Sequence, residues 1–269
     1  MKIDQGSIIF GVKSELYSNI ACAAFIISAS CDIENCKTPF FYYITAVPID
    51  KYCLTKRGFE SAFREHINGY SDFFHKNCLD LDTLSTWSRE DAEKAINSIE
   101  KGKNGTILKK YNEYIEYEDA LNDIEKRKKY VCEKYDKVKK YLMDIDKGKW
   151  NNLYLLPVVV EEKGLLIEKP RYILDFLDIN RIKSQYIELI VKHSGLDYEE
   201  CLEDQIENDE LKKLFYLESD LDYVYIDHSI PSPRREHIMQ KFSFSFSRIG
   251  IERIGDHHLM KLKEQIEGE

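Results

Sequence analysis

At 269 residues, with 43% hydrophobic, 32% charged and 12% aromatic side chains, the chain has apolar surface enough for one large or two small domains, which excludes wholesale disorder. Its formal net charge of -9 repels phosphate backbones and anionic lipid, so any nucleic-acid contact has to come from a local basic surface. The opening Met1-Lys2-Ile3-Asp4-Gln5-Gly6 has no apolar h-region, nowhere do 18 apolar residues run together, and seven irregularly spaced cysteines make no disulfide framework. The expectation is a cytoplasmic protein with reduced thiols, no membrane contact and no cofactor.

Between Gly6 and Ile49 three apolar runs read as strands: Ser7 to Val12, Ala23 to Ser28 and Phe40 to Val47. They predict a meander, with the turn formers of Cys31 to Pro39 as the reversal between the second and third strands. Phe59, Phe63 and Ile67 then fall at helical spacing. Ser88 and Asp91 form a capping box that predicts a short helix to about Lys101, ended by Gly102 and Gly105.

From Ile107 the apolar positions step by four and three through Tyr111, Tyr114, Leu121, Ile124, Val131, Tyr135, Val138, Leu142 and Ile145, interrupted at Glu118 and Lys128. Read as one helix of roughly 40 residues, this stripe spans about 60 Å, longer than a small domain is wide. Such a rod has to project, meet a partner, or break near Gly148.

Beyond it, Leu153 to Val160 and Tyr172 to Phe176 read as strands joined by Glu161 to Lys169, and Ile179 to Val191 and Tyr198 to Leu217 as helices. Tyr223 to Asp227 alternates like a strand. Ser232-Pro233 supplies an N-cap and a first-turn proline for a final helix bearing Ile238, Phe242, Phe246 and Ile249 and ending near Gly250. The predicted architecture is α+β: a small SH3-like β-barrel module over 1–87, a long amphipathic helical insertion over 88–149, and a part over 150–269 with C-terminal helices that packs back on the first module.

Ile26-Ile27-Ser28-Ala29-Ser30-Cys31-Asp32-Ile33 resembles a motif of a group of uncharacterised bacterial proteins, in which a strand ends in Ile-Ser before Ser or Thr and Cys-Asp-Ile or Cys-Asp-Leu. Leu153-Tyr154-Leu155-Leu156-Pro157, Leu174-Asp175-Phe176, and Pro231 to His237 with Phe242, Phe246, Arg248 and Gly250 extend that resemblance in order. The N-terminal part is also similar in pattern to the SH3-like barrel of the PemK/MazF ribonuclease toxins, through Gly6-Ser7-Ile8-Ile9 and Phe25-Ile26-Ile27-Ser28. That resemblance implies the barrel and a setting in bacterial toxin-antitoxin or phage defence. Ala23-Ala24 stand where the toxins carry Arg-Pro, so it does not bring the cation that RNA cleavage needs at the scissile phosphate.

Cys31 and Asp32 are candidates for thiol chemistry or, with Cys36, His66, His75 or Cys78, for zinc. The spacing lacks the paired cysteines of a structural zinc site, and a small buried thiol beside a turn-forming aspartate is the plainer reading; no metal site is assigned. Asp227-His228-Ser229 with His237 has the residue types of a hydrolytic triad, but adjacent residues seldom achieve the geometry. Arg234, Arg235 and His237 complete the polar candidates for catalysis.

Residues 126–149 carry ten basic side chains against four acidic, opening with Lys126-Arg127-Lys128-Lys129, whereas Asp197 to Asp222 carries eleven acidic against two basic. The basic run is a solvated or internally paired face, or a track for a phosphate backbone. The strong stripe beside weak catalytic signals points to a non-catalytic or regulatory interaction component, binding a partner protein or a second copy through Val131, Tyr135, Val138 and Leu142. The alternative is a nucleic-acid-binding or nuclease-type enzyme of toxin or phage-defence type.

Overall fold

A computed structural model describes residues 3–35, 37–98, 104–162, 165–184, 186 and 226–247. The meander forms as β1 (Ser7–Val12), β2 (Cys22–Ile26) and β3 (Phe40–Pro48), with the short helix α1 (Ser30–Glu34) in the expected reversal. Helices follow as α2 (Ile49–Tyr52), α3 (Lys56–Lys76), α4 (Leu81–Thr86), α5 (Arg89–Asn97), α6 (Asn104–Asn122), α7 (Ile124–Glu133) and α8 (Tyr135–Asp146). The chain then returns to the sheet with β4 (Leu153–Glu162), β5 (Leu165–Lys183) and β6 (Ile226–Ser229), and closes with α9 (Arg234–Ser247).

All six strands belong to one sheet in the order β4-β5-β3-β2-β1-β6, each described pair antiparallel. Successive side chains point to opposite faces, and both faces are covered. Ile9, Ala24, Tyr43 and Ile173 pack with Phe59, Phe63, Tyr130 and Val138 of the helical layer. Ile8, Phe25, Ile44 and Leu174 pack with Ile238 on the other side, where α9 also lays Phe242 against Phe176 with ring centroids 5.8 Å apart. Burial on both faces explains why these strands read as near-continuous apolar runs rather than alternating ones. A third cluster joins the far end of α3 (Tyr70, Phe74) to Ala92, Ile96 and Tyr111.

The sheet does not close into the predicted barrel: β4 and β6 are its two ends. The free edge of β3, where a small barrel would close, is taken by β5, nineteen residues long and drawn from the second half of the chain. The segments 1–87, 88–149 and 150–269 therefore contribute to one shared core.

The single rod is also corrected. The stripe folds into α6, α7 and α8, broken at Asp123 (φ -131, ψ 123) and Lys134 (φ -107, ψ 28). The Asp123 carboxylate accepts hydrogen bonds from the amides of Glu125 (2.8 Å) and Lys126 (3.0 Å), starting a new helix where one helix would have left those amides inside its ladder. Arg127 fixes the corner, donating to the carbonyls of Ala120 (3.1 Å), Leu121 (2.5 Å) and Leu54 (2.7 Å). Tyr117 and Tyr130 then both reach Phe59 of α3, at 5.3 and 5.6 Å between ring centroids. Gly105 lies inside α6 rather than before it.

Three further expectations shift. The connection predicted over Glu161 to Lys169 is strand on both sides, with Glu162 opposite Leu165. Ile179 to Lys183, predicted helical, pairs with Phe40 to Ile44 as strand, because β3 offers that alternating segment a ladder; Tyr198 to Leu217 lies outside the described residues. Helix α9 starts after Pro233 rather than at it, and the Ser232-Pro233 peptide is cis. No helix among the described residues is long and apolar enough to cross a membrane.

Candidate functional site

The four stripe residues chosen as an interaction face remain together although the rod is broken. Val131 at the end of α7 and Tyr135, Val138 and Leu142 of α8 form one wall of a groove of about 700 Å³. Pro48, Ile49, Cys53 and Leu54, from the corner between β3 and α3, form the opposite wall, with Tyr172 of β5 at the end. The wall is graded: Val138 is 3% exposed and belongs to the core, Val131 and Leu142 are half-buried, and Tyr135 is 60% exposed. A second hollow of about 450 Å³ shares Tyr135 and Leu142 and continues past Met143, itself 48% exposed, to Leu155 and Pro157 of β4.

The corner that makes the far wall is held by close backbone packing. Thr55 caps α3, accepting from the amide of Gly58 at 2.9 Å, and a Cβ built on Gly58 would lie 2.0 Å from the carbonyl oxygen of Tyr52. Only glycine fits there. The Cys53 thiol in this wall is pushed up to about 12, chiefly by burial and then by Asp50, so it stays protonated and acts as a small hydrophobe.

The basic run is largely self-paired. Lys126 meets Asp119 at 3.1 Å, Lys128 meets Glu125 at 2.6 Å and Lys129 meets Glu133 at 3.8 Å. Arg127, the fourth residue proposed for phosphate contact, is 8% exposed, engaged with three carbonyls and placed over the ring of Phe59 at 5.6 Å. It is a structural clasp, and that assignment is withdrawn.

The polar candidates for catalysis occupy separate surroundings. Cys31 is exposed on α1 rather than buried, its sulfur 3.7 Å from Asp32 Oδ1. Arg235 pairs with Glu236 at 2.8 Å and reaches the carbonyl of Gln5, its stem lying over Gly6, whose φ is +87. His237 is exposed with Nδ1 3.4 Å from the Tyr154 hydroxyl, and Arg234 lines the second hollow of the groove. Asp227, His228 and Ser229 fall in β6, with side chains outside the described set. Cys36 also lies outside it, and among the described residues no three His, Cys, Asp or Glu side chains gather to hold a metal.

A buried polar knot was missed by sequence reasoning. Ile44 faces Ile179 but Thr45 faces Asp175, so Phe176, Leu177 and Asp178 are surplus in β5 and bulge from the ladder. Asp175, fully buried, accepts from Tyr17 (2.5 Å), from Arg57 (2.8 Å to Oδ2) and from the amide of Leu177 (3.1 Å). Asp178 accepts from Ser14 at 2.6 Å and Asn180 at 3.0 Å. Burial pushes the Asp175 carboxyl up while Tyr17 and Arg57 pull it down, and burial then Asp175 push the Tyr17 phenol up. With donors on both carboxylates, the knot ties the β1–β2 loop and α3 to the bulge. The Asp-Phe-Leu-Asp spacing of 175–178, two acids inside an apolar strand, is the signal that marks it.

Compared with protein-family models, with curated proteins and with solved structures, the chain matches none of them.

Proposed function

We propose that the protein is a non-catalytic or regulatory interaction component whose groove beside α8 receives an apolar-faced helical segment of a partner protein. The carrying observation is that the stripe is not fully covered: Tyr135 is exposed and Leu142 half-buried, with Met143 beside them exposed, along an elongated apolar groove whose floor is core. Two adjoining hollows in line with three turns of α8 suit a helix laid in a groove, anchored at positions three, four and seven apart. Charged groups of both signs, Lys128, Lys139 and Arg234 with Asp50 and Asp146, stand around the groove and can fix the occupant's register. A net charge of -9 sets two copies of the chain against each other and favours a different protein over self-association.

The test is the mass of the tagged protein taken from its own cells by size-exclusion chromatography with light scattering. Wild type is expected in an assembly heavier than the monomer, and Leu142→Asp, at a half-buried rim position, as monomer with an unchanged melting curve. A wild-type chain that is monomeric in extract contradicts the proposal, and a dimer of the chain alone replaces the partner with a second copy. The nuclease reading has less support, because Lys126, Lys128 and Lys129 at the head of the basic run are ion-paired and Arg127 is buried.

A further inference from the structure

Turning about the axis of α8 at 100° per residue, Lys137, Lys140, Tyr141 and Asp144 share a face well away from Tyr135, Val138 and Leu142. That face meets α3 and α6 around a second cavity of about 360 Å³, at the small end of ligand-site volumes. Its charged and polar lining comes from three helices: His66 and Tyr70 from α3, Lys110 from α6, Lys137 and Lys140 from α8, with the carboxylates of Glu65 (α3) and Asp144 (α8) among them. Trp150 lies at the edge, with the Arg64 guanidinium 5.6 Å from its ring centroid.

The hydrogen bonds inside the cavity run in one direction. Lys110 Nζ lies 2.8 Å from Glu113 Oε2, and the Tyr70 hydroxyl donates to the same oxygen at 3.0 Å. Having spent its single proton, Tyr70 can only accept from His66, whose Nε2 is 2.8 Å away. A neutral His66 is thereby held as the Nε2–H tautomer, with Nδ1 an acceptor. The protonation states agree: the Lys110 contact holds Glu113 below the usual carboxylate range, burial and Glu113 push Tyr70 up, and burial, Lys137 and Lys110 lower His66.

Charge in the cavity does not cancel. Lys140 pairs with Glu65 and Asp144 with Lys149, at 2.8 and 2.7 Å, but Lys137 has no acidic partner among the described residues. Gly69, in the middle of α3, lines the cavity at an exposed position. A Cβ there would meet nothing within 4 Å, so packing does not require glycine, although glycine inside a helix costs stability. Gly58 in the same helix is the contrast, being demanded by the Tyr52 carbonyl.

We propose that this cavity binds a sugar phosphate, mononucleotides included: Lys137 holds the phosphate together with Lys140, which exchanges its Glu65 partner for it, His66 Nδ1 accepts from a sugar hydroxyl, and the ligand occupies the space over Gly69. Ammonium groups from different turns of α8 suit a tetrahedral anion, which needs point charges rather than a planar fork.

The test is calorimetric titration of the full chain at low ionic strength with adenosine 5′-monophosphate, ribose 5-phosphate, adenosine and inorganic phosphate. The two sugar phosphates are expected to bind with dissociation constants between about 10 μM and 1 mM, with adenosine and inorganic phosphate each at least about tenfold weaker. Lys137→Ala, at an exposed position, should weaken both sugar phosphates about tenfold. His66→Gln should weaken them while leaving the weak phosphate signal unchanged, and Gly69→Leu should abolish binding with unfolding still cooperative. Adenosine or inorganic phosphate binding as tightly as ribose 5-phosphate, wild-type affinity in Lys137→Ala, or no heat from either sugar phosphate overturns the proposal.

Discussion

The two cavities flanking α8 draw on opposite faces of one twelve-residue helix and differ in the side chains that α8 gives each. On one side Tyr135, Val138 and Leu142 face an apolar wall from the β3–α3 corner; on the other, Lys137 and Lys140 face His66 and Tyr70. In an ordinary amphipathic helix the polar face meets only water. Here that face borders a cavity, so the run of lysines that reads as a solvated surface includes two, Lys137 and Lys140, that line it. The comparison also separates two kinds of basic residue: Lys126, Lys128 and Lys129 pair within their own neighbourhood, while Lys137 does not.

The largest expected effect breaks both sides together. Arg127→Ala removes the clasp between α6, α7 and the α2–α3 corner and leaves three carbonyls short of donors, at a cost of about 3 kcal/mol in denaturant unfolding. Arg127→Lys should recover little, since one ammonium cannot span those carbonyls. Gly58→Ala comes next, forcing the corner away from the Tyr52 carbonyl at a cost of about 2 kcal/mol. It disturbs only the apolar side, so loss of assembly with sugar-phosphate binding retained would sharpen the separation. Leu142→Asp should change stability by less than about 1 kcal/mol, because the position is half-exposed, yet abolish assembly.

The smallest effect is a pH dependence on the cationic side. Burial lowers the His66 pKa, with Lys137, Lys110 and Lys134 adding to it and Glu113 opposing; Glu65, Tyr70, Lys140, Tyr141 and Asp144 also line the cavity. The folded chain then takes up this proton less readily than the unfolded chain. Its contribution is complete above the ordinary value of about 6.5 and is lost as pH falls through the lowered one. Melting temperatures of wild type and His66→Gln should therefore converge on acidification; parallel curves across that range would show that His66 titrates normally.

The meander was legible because β2 and the middle of β3 bury both faces and read as apolar runs. The second half of β5 was not, since Ile179 to Lys183 alternates ambiguously and its partner lies more than a hundred residues earlier. Of the two breaks in the helical stripe, only that at Asp123 has a sign in the pattern, which falters on either side of it at Glu118 and Lys128; at Lys134 the stripe runs on from Val131 to Tyr135, and periodicity alone does not say whether a stripe bends or continues. The near wall of the groove followed from spacing. Its far wall, from Pro48 to Leu54, depends on how α2 turns into α3, a matter of one glycine against one carbonyl. The tyrosine and histidine of the cationic cavity sit four apart and are visible as neighbours, but Glu113, which sets their protons, arrives only through tertiary packing.

The docking role of the groove is tested most directly by photo-crosslinking in the cell, with a benzoylphenylalanine placed at Tyr135 and, as control, at exposed Glu116 on α6. The account predicts one discrete adduct with a different protein from position 135, lost when Leu142→Asp is added, and none from position 116. Equal labelling from the two positions, or an adduct at 135 that survives Leu142→Asp, would contradict it.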